Sequence, residues 1–106
     1  MDLLENANKG DPKAQYHLGL MALASKKKKD INRALNWFNL AAIQAFPSAQ
    51  YSMGVLYDKG IGVTENKSTA LLWYYAAAQN NYAKAQYNLG VFFLKGIGTS
   101  VNLEEA

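Results

Sequence analysis

The sequence predicts an all-α protein, an α-α superhelix of stacked antiparallel helix pairs. Three observations predict it. Blocks of sequence recur every 35 or 36 residues, their apolar positions fall at helical spacing, and the residues that begin and end helices return in the same register. Ala14-Gln15-Tyr16-His17-Leu18-Gly19 recurs as Ala49-Gln50-Tyr51-Ser52-Met53-Gly54 and again as Ala85-Gln86-Tyr87-Asn88-Leu89-Gly90. Ala34-Leu35-Asn36-Trp37-Phe38 returns as Ala70-Leu71-Leu72-Trp73-Tyr74, and Lys59-Gly60-Ile61-Gly62 as Lys95-Gly96-Ile97-Gly98.

Five helices follow in order, near 12–25, 30–44, 47–58, 67–80 and 83–94. The first opens on Asp11-Pro12, a capping carboxylate followed by a first-turn proline, and aligns Ala14, Leu18 and Ala22 on one face. The second is expected to start on Asp30 as its cap. Its stripe of Ala34, Trp37, Phe38, Ala41 and Ala42 runs i, i+3, i+4, i+7, i+8. The third repeats the first with Pro47 in the opening turn and Ala49, Met53 and Tyr57 in the stripe. The fourth repeats the second, with Asn66 as cap and Ala70, Trp73, Tyr74, Ala77 and Ala78 inward. The fifth carries Ala85, Leu89 and Phe93. Gly10, Ala45 and Asn81 share one helix-end position, where glycine and asparagine tolerate a left-handed backbone. Gly19, Gly54 and Gly90 lie inside helices, which calls for close helix approach, with the Trp37 or Trp73 ring as the expected neighbour.

The two ends read as partial elements. Residues 3 to 8 match the last turns of a preceding second helix. Leu103 to Ala106 match the opening of another, with Asn102 as its cap. The expectation is one solenoid fragment over 1–106, with units 12–46, 47–82 and a partial 83–106, taken from a longer array. Open ends of this kind invite homo-oligomerisation.

Composition narrows the function. The chain has no cysteine, which removes disulfides, thiolate metal sites and cysteine nucleophiles. No run approaches the roughly 18 apolar residues of a membrane span. The first ten residues lack a signal-peptide core, so a cytoplasmic location is expected. Net charge is +3, with four of the eleven basic residues at Lys26 to Lys29. Basic residues do not recur on one face of every unit, so nucleic acid is not an expected partner. The lysine run itself reads as a solvated loop more readily than as a nucleic-acid or lipid contact.

At this level of detail the pattern resembles the Sel-one-like repeat (SLR), a relative of the tetratricopeptide repeat. The residues that carry the resemblance are Ala-x-x-x-Leu-Gly-x-x-Tyr, then Gly-x-Gly-Val, then Asp or Asn before Ala-x-x-Trp-Tyr and a paired alanine. Residues 49 to 84 match almost throughout and 85 to 98 match the first half. The first unit departs, because Ala24 to Lys29 replaces the glycine loop and is one residue shorter. The resemblance implies a right-handed solenoid that holds a protein or peptide along its concave groove without doing chemistry. Proteins of this kind are found in bacteria and in eukaryotic adaptor complexes, and the lysine- and asparagine-rich usage points to a bacterial source.

No catalytic constellation emerges. His17 is the lone histidine, and its register is shared by Ser52 and Asn88. Ser25-Lys26-Lys27-Lys28 matches S-x-x-K formally, but the partner motifs of that chemistry are missing. The Gly-x-Gly pairs lack the rest of a phosphate loop. Neither a cofactor nor a metal is expected, and the protein is read as a non-enzyme. By resemblance, the first helix of each unit lines the groove. The candidate partner-binding residues are then Tyr16, His17 and Leu20, followed by Tyr51, Ser52 and Val55, and by Lys84, Tyr87, Asn88, Val91 and Lys95. A tyrosine ladder over small polar and aliphatic groups suits a peptide, since tyrosine joins a large contact area to a polar tip. The competing role for Tyr16, Tyr51 and Tyr87 is packing between neighbouring units. A carboxylate clamp of the chaperone-binding kind is not expected, as only Lys84 fits one.

Overall fold

The computed structural model of the protein describes residues 2–96. These form six helices: α1 (Leu3–Asn8), α2 (Pro12–Ala24), α3 (Lys28–Ala42), α4 (Pro47–Lys59), α5 (Lys67–Gln79) and α6 (Ala83–Lys95). Each helix packs on its chain neighbours, and the chain extends over 44 × 27 × 18 Å. This is the nearest-neighbour architecture of an α-α superhelix, in which no pair of helices closes a core alone. The Asn102 cap and the helix opening expected at Leu103 to Ala106 lie outside the described residues.

The core sits between successive helix pairs. One buried cluster joins Ala34, Phe38, Ala41 and Ala42 of α3 to Ala49, Met53 and Leu56 of α4. A second joins Ala70, Leu71, Tyr74 and Ala77 of α5 to Ala85 and Phe92 of α6. Alanines occupy the contact lines because their small side chains let two helix backbones approach, while one aromatic ring per unit fills the remaining volume.

Boundaries follow local chemistry. The Asp11 carboxylate accepts from the Lys13 amide at 3.0 Å, and the Asn66 side chain from Thr69 N–H at 3.0 Å. Ala45 and Asn81 take the left-handed backbone, at φ 62° and 66°. The second helix departs from expectation. It starts at Lys28, so Asp30 stands in its first turn instead of capping it; there Asp30 accepts a 2.6 Å hydrogen bond from the Ser25 hydroxyl and pairs with Arg33 at 3.5 Å. Without a glycine loop, Lys28 and Lys29, which favour helix, extend α3 backwards, and the connection from α2 shrinks to residues 25–27.

The helical glycines make close approaches, but to rings other than tryptophan. A Cβ on Gly19 would lie 2.5 Å from Phe38 Cε1, and one on Gly54 would lie 2.6 Å from Tyr74 Cδ1. Gly90 in the same register meets nothing within 4 Å. Trp37 and Trp73 stay half-buried, because the position one residue later, Phe38 and Tyr74, points straight into the pair interface.

Glutamines tie the pairs together. Gln15, Gln50 and Gln86 donate their side-chain amides to the Ala7, Ala42 and Ala78 carbonyls at 3.0, 3.3 and 3.2 Å, each at the end of the preceding second helix. Gln44 and Asn80 donate in turn to the Gln15 and Gln50 side-chain oxygens, at 3.0 and 3.2 Å. The second residue of each Ala-Gln-Tyr block is therefore a polar link between helices, buried at Gln15 and Gln50 and exposed at Gln86.

Candidate functional site

The first helices α2, α4 and α6 carry all eleven candidate residues, and the structure distributes them unevenly. Tyr16 is half-buried. Its ring lies 5.8 Å from Phe38 and 5.6 Å from Phe46, the residue that precedes α4, with the exposed His17 ring 5.8 Å away on the outside. Tyr51 repeats this arrangement, 5.4 Å from Tyr74 and 5.2 Å from Tyr82. Both rings also pack against the core clusters that join one unit to the next, Tyr16 on the first and Tyr51 on the second. Tyr87 is 73% exposed.

The phenol tips remain polar groups of the wall. Asn88 donates its amide to the Tyr51 hydroxyl at 3.4 Å. Ser52, the repeat equivalent of Asn88, neighbours the Tyr16 phenol and donates to the Ser48 carbonyl at 3.0 Å. Burial raises the Tyr16 phenol pKa; nearby Tyr82 adds to the rise and Ser52 opposes it. Leu20 is exposed, Val55 and Val91 are half-buried, and Lys84 and Lys95 stand in solvent.

One cavity gathers several candidates. Tyr87, Asn88, Val91 and Lys95 of α6 line a hollow of about 320 Å³, completed by Phe92 and by Asp58 at the end of α4. Its floor is rigid. Phe92 meets the Tyr74 ring edge-on, with centroids 5.5 Å apart and planes at 87°. The Tyr74 hydroxyl donates to one Asp58 carboxylate oxygen at 3.2 Å, and the Lys67 ammonium donates to the other and to the Asp58 carbonyl. Burial pushes the Tyr74 phenol well above its ordinary pKa, and the Asp58 charge adds to this. The Lys67 pKa is raised by its hydrogen bond to Asp58. Asp58 therefore presents a braced, largely compensated acceptor at the mouth of an aromatic hollow. Tyr16, His17, Leu20, Tyr51, Ser52, Val55 and Lys84 do not line this hollow.

Sequence reasoning missed Asp58 and Lys67, although a signal existed. Their repeat equivalents are Leu23 with Ile31 and Leu94 with Leu103, so the middle unit puts an opposite-charge pair where the others carry aliphatic pairs. It also missed Phe46 and Tyr82, which sit in the short connections and belong to no helical stripe.

Comparison with known proteins assigns the repeat. The family model for the Sel1 repeat matches residues 12–46, 47–82 and 83–106. The chain belongs to the Sel1 repeat family. Among solved structures it is similar to a Sel1 repeat protein from Oxalobacter formigenes, at 35% identity and a TM-score of 0.80 over 85% of this chain and 37% of that one. It is also similar to c5321, a protective antigen present in uropathogenic Escherichia coli strains and displaying an SLR fold. There the identity is 37% and the TM-score 0.85, over 91% of this chain and 21% of the antigen. The chain thus spans well under half of either protein. A search of curated proteins gave no match. Sel1 repeat proteins are in general non-enzymatic scaffolds for protein interaction, and no described helix of this one is long and apolar enough to cross a membrane.

Proposed function

We propose that this Sel1 chain is an adaptor segment, one piece of a longer solenoid, that holds a partner protein or an extended peptide along its first helices. The hollow between α4 and α6 anchors that partner. The observation that carries the reading is the convergence of Tyr87, Asn88, Val91 and Lys95 with Asp58 around about 320 Å³. That volume is within the roughly 300–1,000 Å³ of preformed ligand sites. Aromatic and aliphatic walls would take an apolar side chain. Asn88, Lys95 and the Asp58 carboxylate would fix the peptide's direction by hydrogen bonds, while Tyr16 and Tyr51 hold the units in the geometry that forms the wall.

A photo-crosslinking amino acid placed at Val91 should capture the partner, whose affinity is then measured on variants. Tyr87→Ala and Asn88→Ala should each weaken binding by about tenfold, the effect of a central interface residue. Affinity unchanged by both removes the hollow as the site. Self-assembly through α6 is the second reading, favoured by Phe93 and Leu94 at 50% and 89% exposure. Light scattering that rises with concentration, and falls back on Leu94→Glu, would select it.

A further inference from the structure

A second, larger cavity lies away from the α4–α6 hollow, where the short α2–α3 connection meets the glycine loop of the next unit. We propose that it is a docking site for an acidic peptide segment, independent of the adaptor reading above. The cavity measures about 610 Å³ and is lined by Lys26, Lys28, Ile31, Asn32, Val63 and Thr64 together with loop glycines.

Its shape has two causes in the sequence. The first turns of α3 carry Ile31 and Asn32, and its backward extension carries Lys28, out to the loop 60–66. Gly62, at φ 74°, lets that loop press against α3, since a Cβ there would lie 2.6 Å from Ile31 Cγ2 and 2.9 Å from Leu35 Cδ1. The first unit departs from the repeat pattern at the place where the cavity forms.

The lysine run divides by side. Lys27 and Lys29 act on the Asp30 carboxylate, which already holds Ser25 and Arg33. Lys26 and Lys28 line the cavity instead, and among the described residues neither makes an ion pair. Lys26 reaches this position through a left-handed turn at φ 62°. Two uncompensated ammonium groups therefore stand over a floor of Ile31 and Val63, with the Asn32 amide and the Thr64 hydroxyl beside them. No acidic side chain lines the cavity.

An extended peptide with carboxylates two residues to either side of an aliphatic side chain satisfies every part of that lining, because alternate residues share a face. Two carboxylates meet Lys26 and Lys28, the aliphatic group covers Ile31 and Val63, and the peptide backbone bonds to Asn32 and Thr64. Nucleic acid fits poorly, because the lining has no aromatic ring for a base to stack on and the cations do not continue as a stripe.

The test uses the full chain and a fluorescein-labelled peptide in which glutamate, leucine and glutamate are separated by single serines, so that all three face one side of an extended chain, read by fluorescence anisotropy at physiological salt. Lys26→Gln with Lys28→Gln should weaken binding by about tenfold, whereas the same charge removed as Lys27→Gln with Lys29→Gln should cost less than about threefold. All four positions are exposed, so folding is preserved. Equal losses in the two double variants would show diffuse electrostatics and overturn the proposal. So would failure of the wild-type chain to bind the peptide at about millimolar concentration. Tighter binding of a single-stranded oligonucleotide, or of phosphatidylserine vesicles, with the same dependence on Lys26 and Lys28 would also overturn it, by reassigning the surface.

Discussion

Replacing the three helical glycines by alanine probes the contact between helix pairs, because one substitution in one register meets three different surroundings. In the middle of a helix, alanine is favoured over glycine by about 0.5–1 kcal/mol. At Gly54 the new Cβ would lie 2.6 Å from both Cδ1 and Cε1 of Tyr74. That ring cannot retreat easily, since it is 1% exposed, hydrogen-bonded to Asp58 at 3.2 Å and held edge-on by Phe92. Overpacking of this kind costs about 1–3 kcal/mol, so Gly54→Ala should lose about 1–2 kcal/mol net. Gly19→Ala should behave alike against Phe38, which is fully buried. Gly90→Ala meets nothing within 4 Å and should gain about 0.5–1 kcal/mol. Urea and thermal unfolding followed by circular dichroism read the difference, with about 4–8 °C of Tm expected per kcal/mol in a domain of this size. Equal stabilisation by all three alanines would refute the close-approach argument. In a chain carrying one more second helix, the sign at Gly90 should reverse.

Gln50→Ala should cost about 0.5–1.5 kcal/mol, because a hydrogen bond is lost inside a contact where Gln50 is only 6% exposed, while the Ala42 carbonyl keeps the Ala45 N–H as donor. The same change at the exposed Gln86 should cost much less, and urea midpoints of the two variants check this. Asn66→Ala removes the side-chain acceptor of Thr69 N–H and should cost about 1 kcal/mol, restored by Asn66→Asp. Alkaline pH should destabilise the fold. Tyr16, Tyr74 and Lys67 all have raised folded-state pKa values. The unfolded chain therefore releases protons first, and stability, fully present below the ordinary values of 10.0 and 10.5, declines as pH rises past them. A Tm that stays level from about pH 9 to 11, across the ordinary tyrosine and lysine values, would contradict this.

How far the site was legible depends on what each residue contacts. Tyr87, Asn88, Val91 and Lys95 could be placed near one another because they occupy a single helix, where spacings of three, four and seven residues share a side. Asp58 comes from a different helix, and only the tilt between α4 and α6 brings it to them. Of the two roles set against each other for the tyrosines, packing is the one that Tyr16 and Tyr51 display in the structure. The rings of Tyr16 and Tyr51 pack against the core clusters that join units, while their hydroxyls neighbour Ser52 and Asn88 on the wall.

By itself, the order of residues determined the repeat, the helical periods, the glycine register and the caps at Asp11 and Asn66. These are local matters, decided by backbone preference and by apolar spacing within a few turns. Only the tertiary structure decided which ring fills the space above each glycine, where α3 begins, and which side chains face a common cavity. Those outcomes depend on the angle at which one helix pair lies on the next. That angle is set by the summed packing of alanines, aromatic rings and glutamine links far apart along the chain, and no short stretch of sequence contains it.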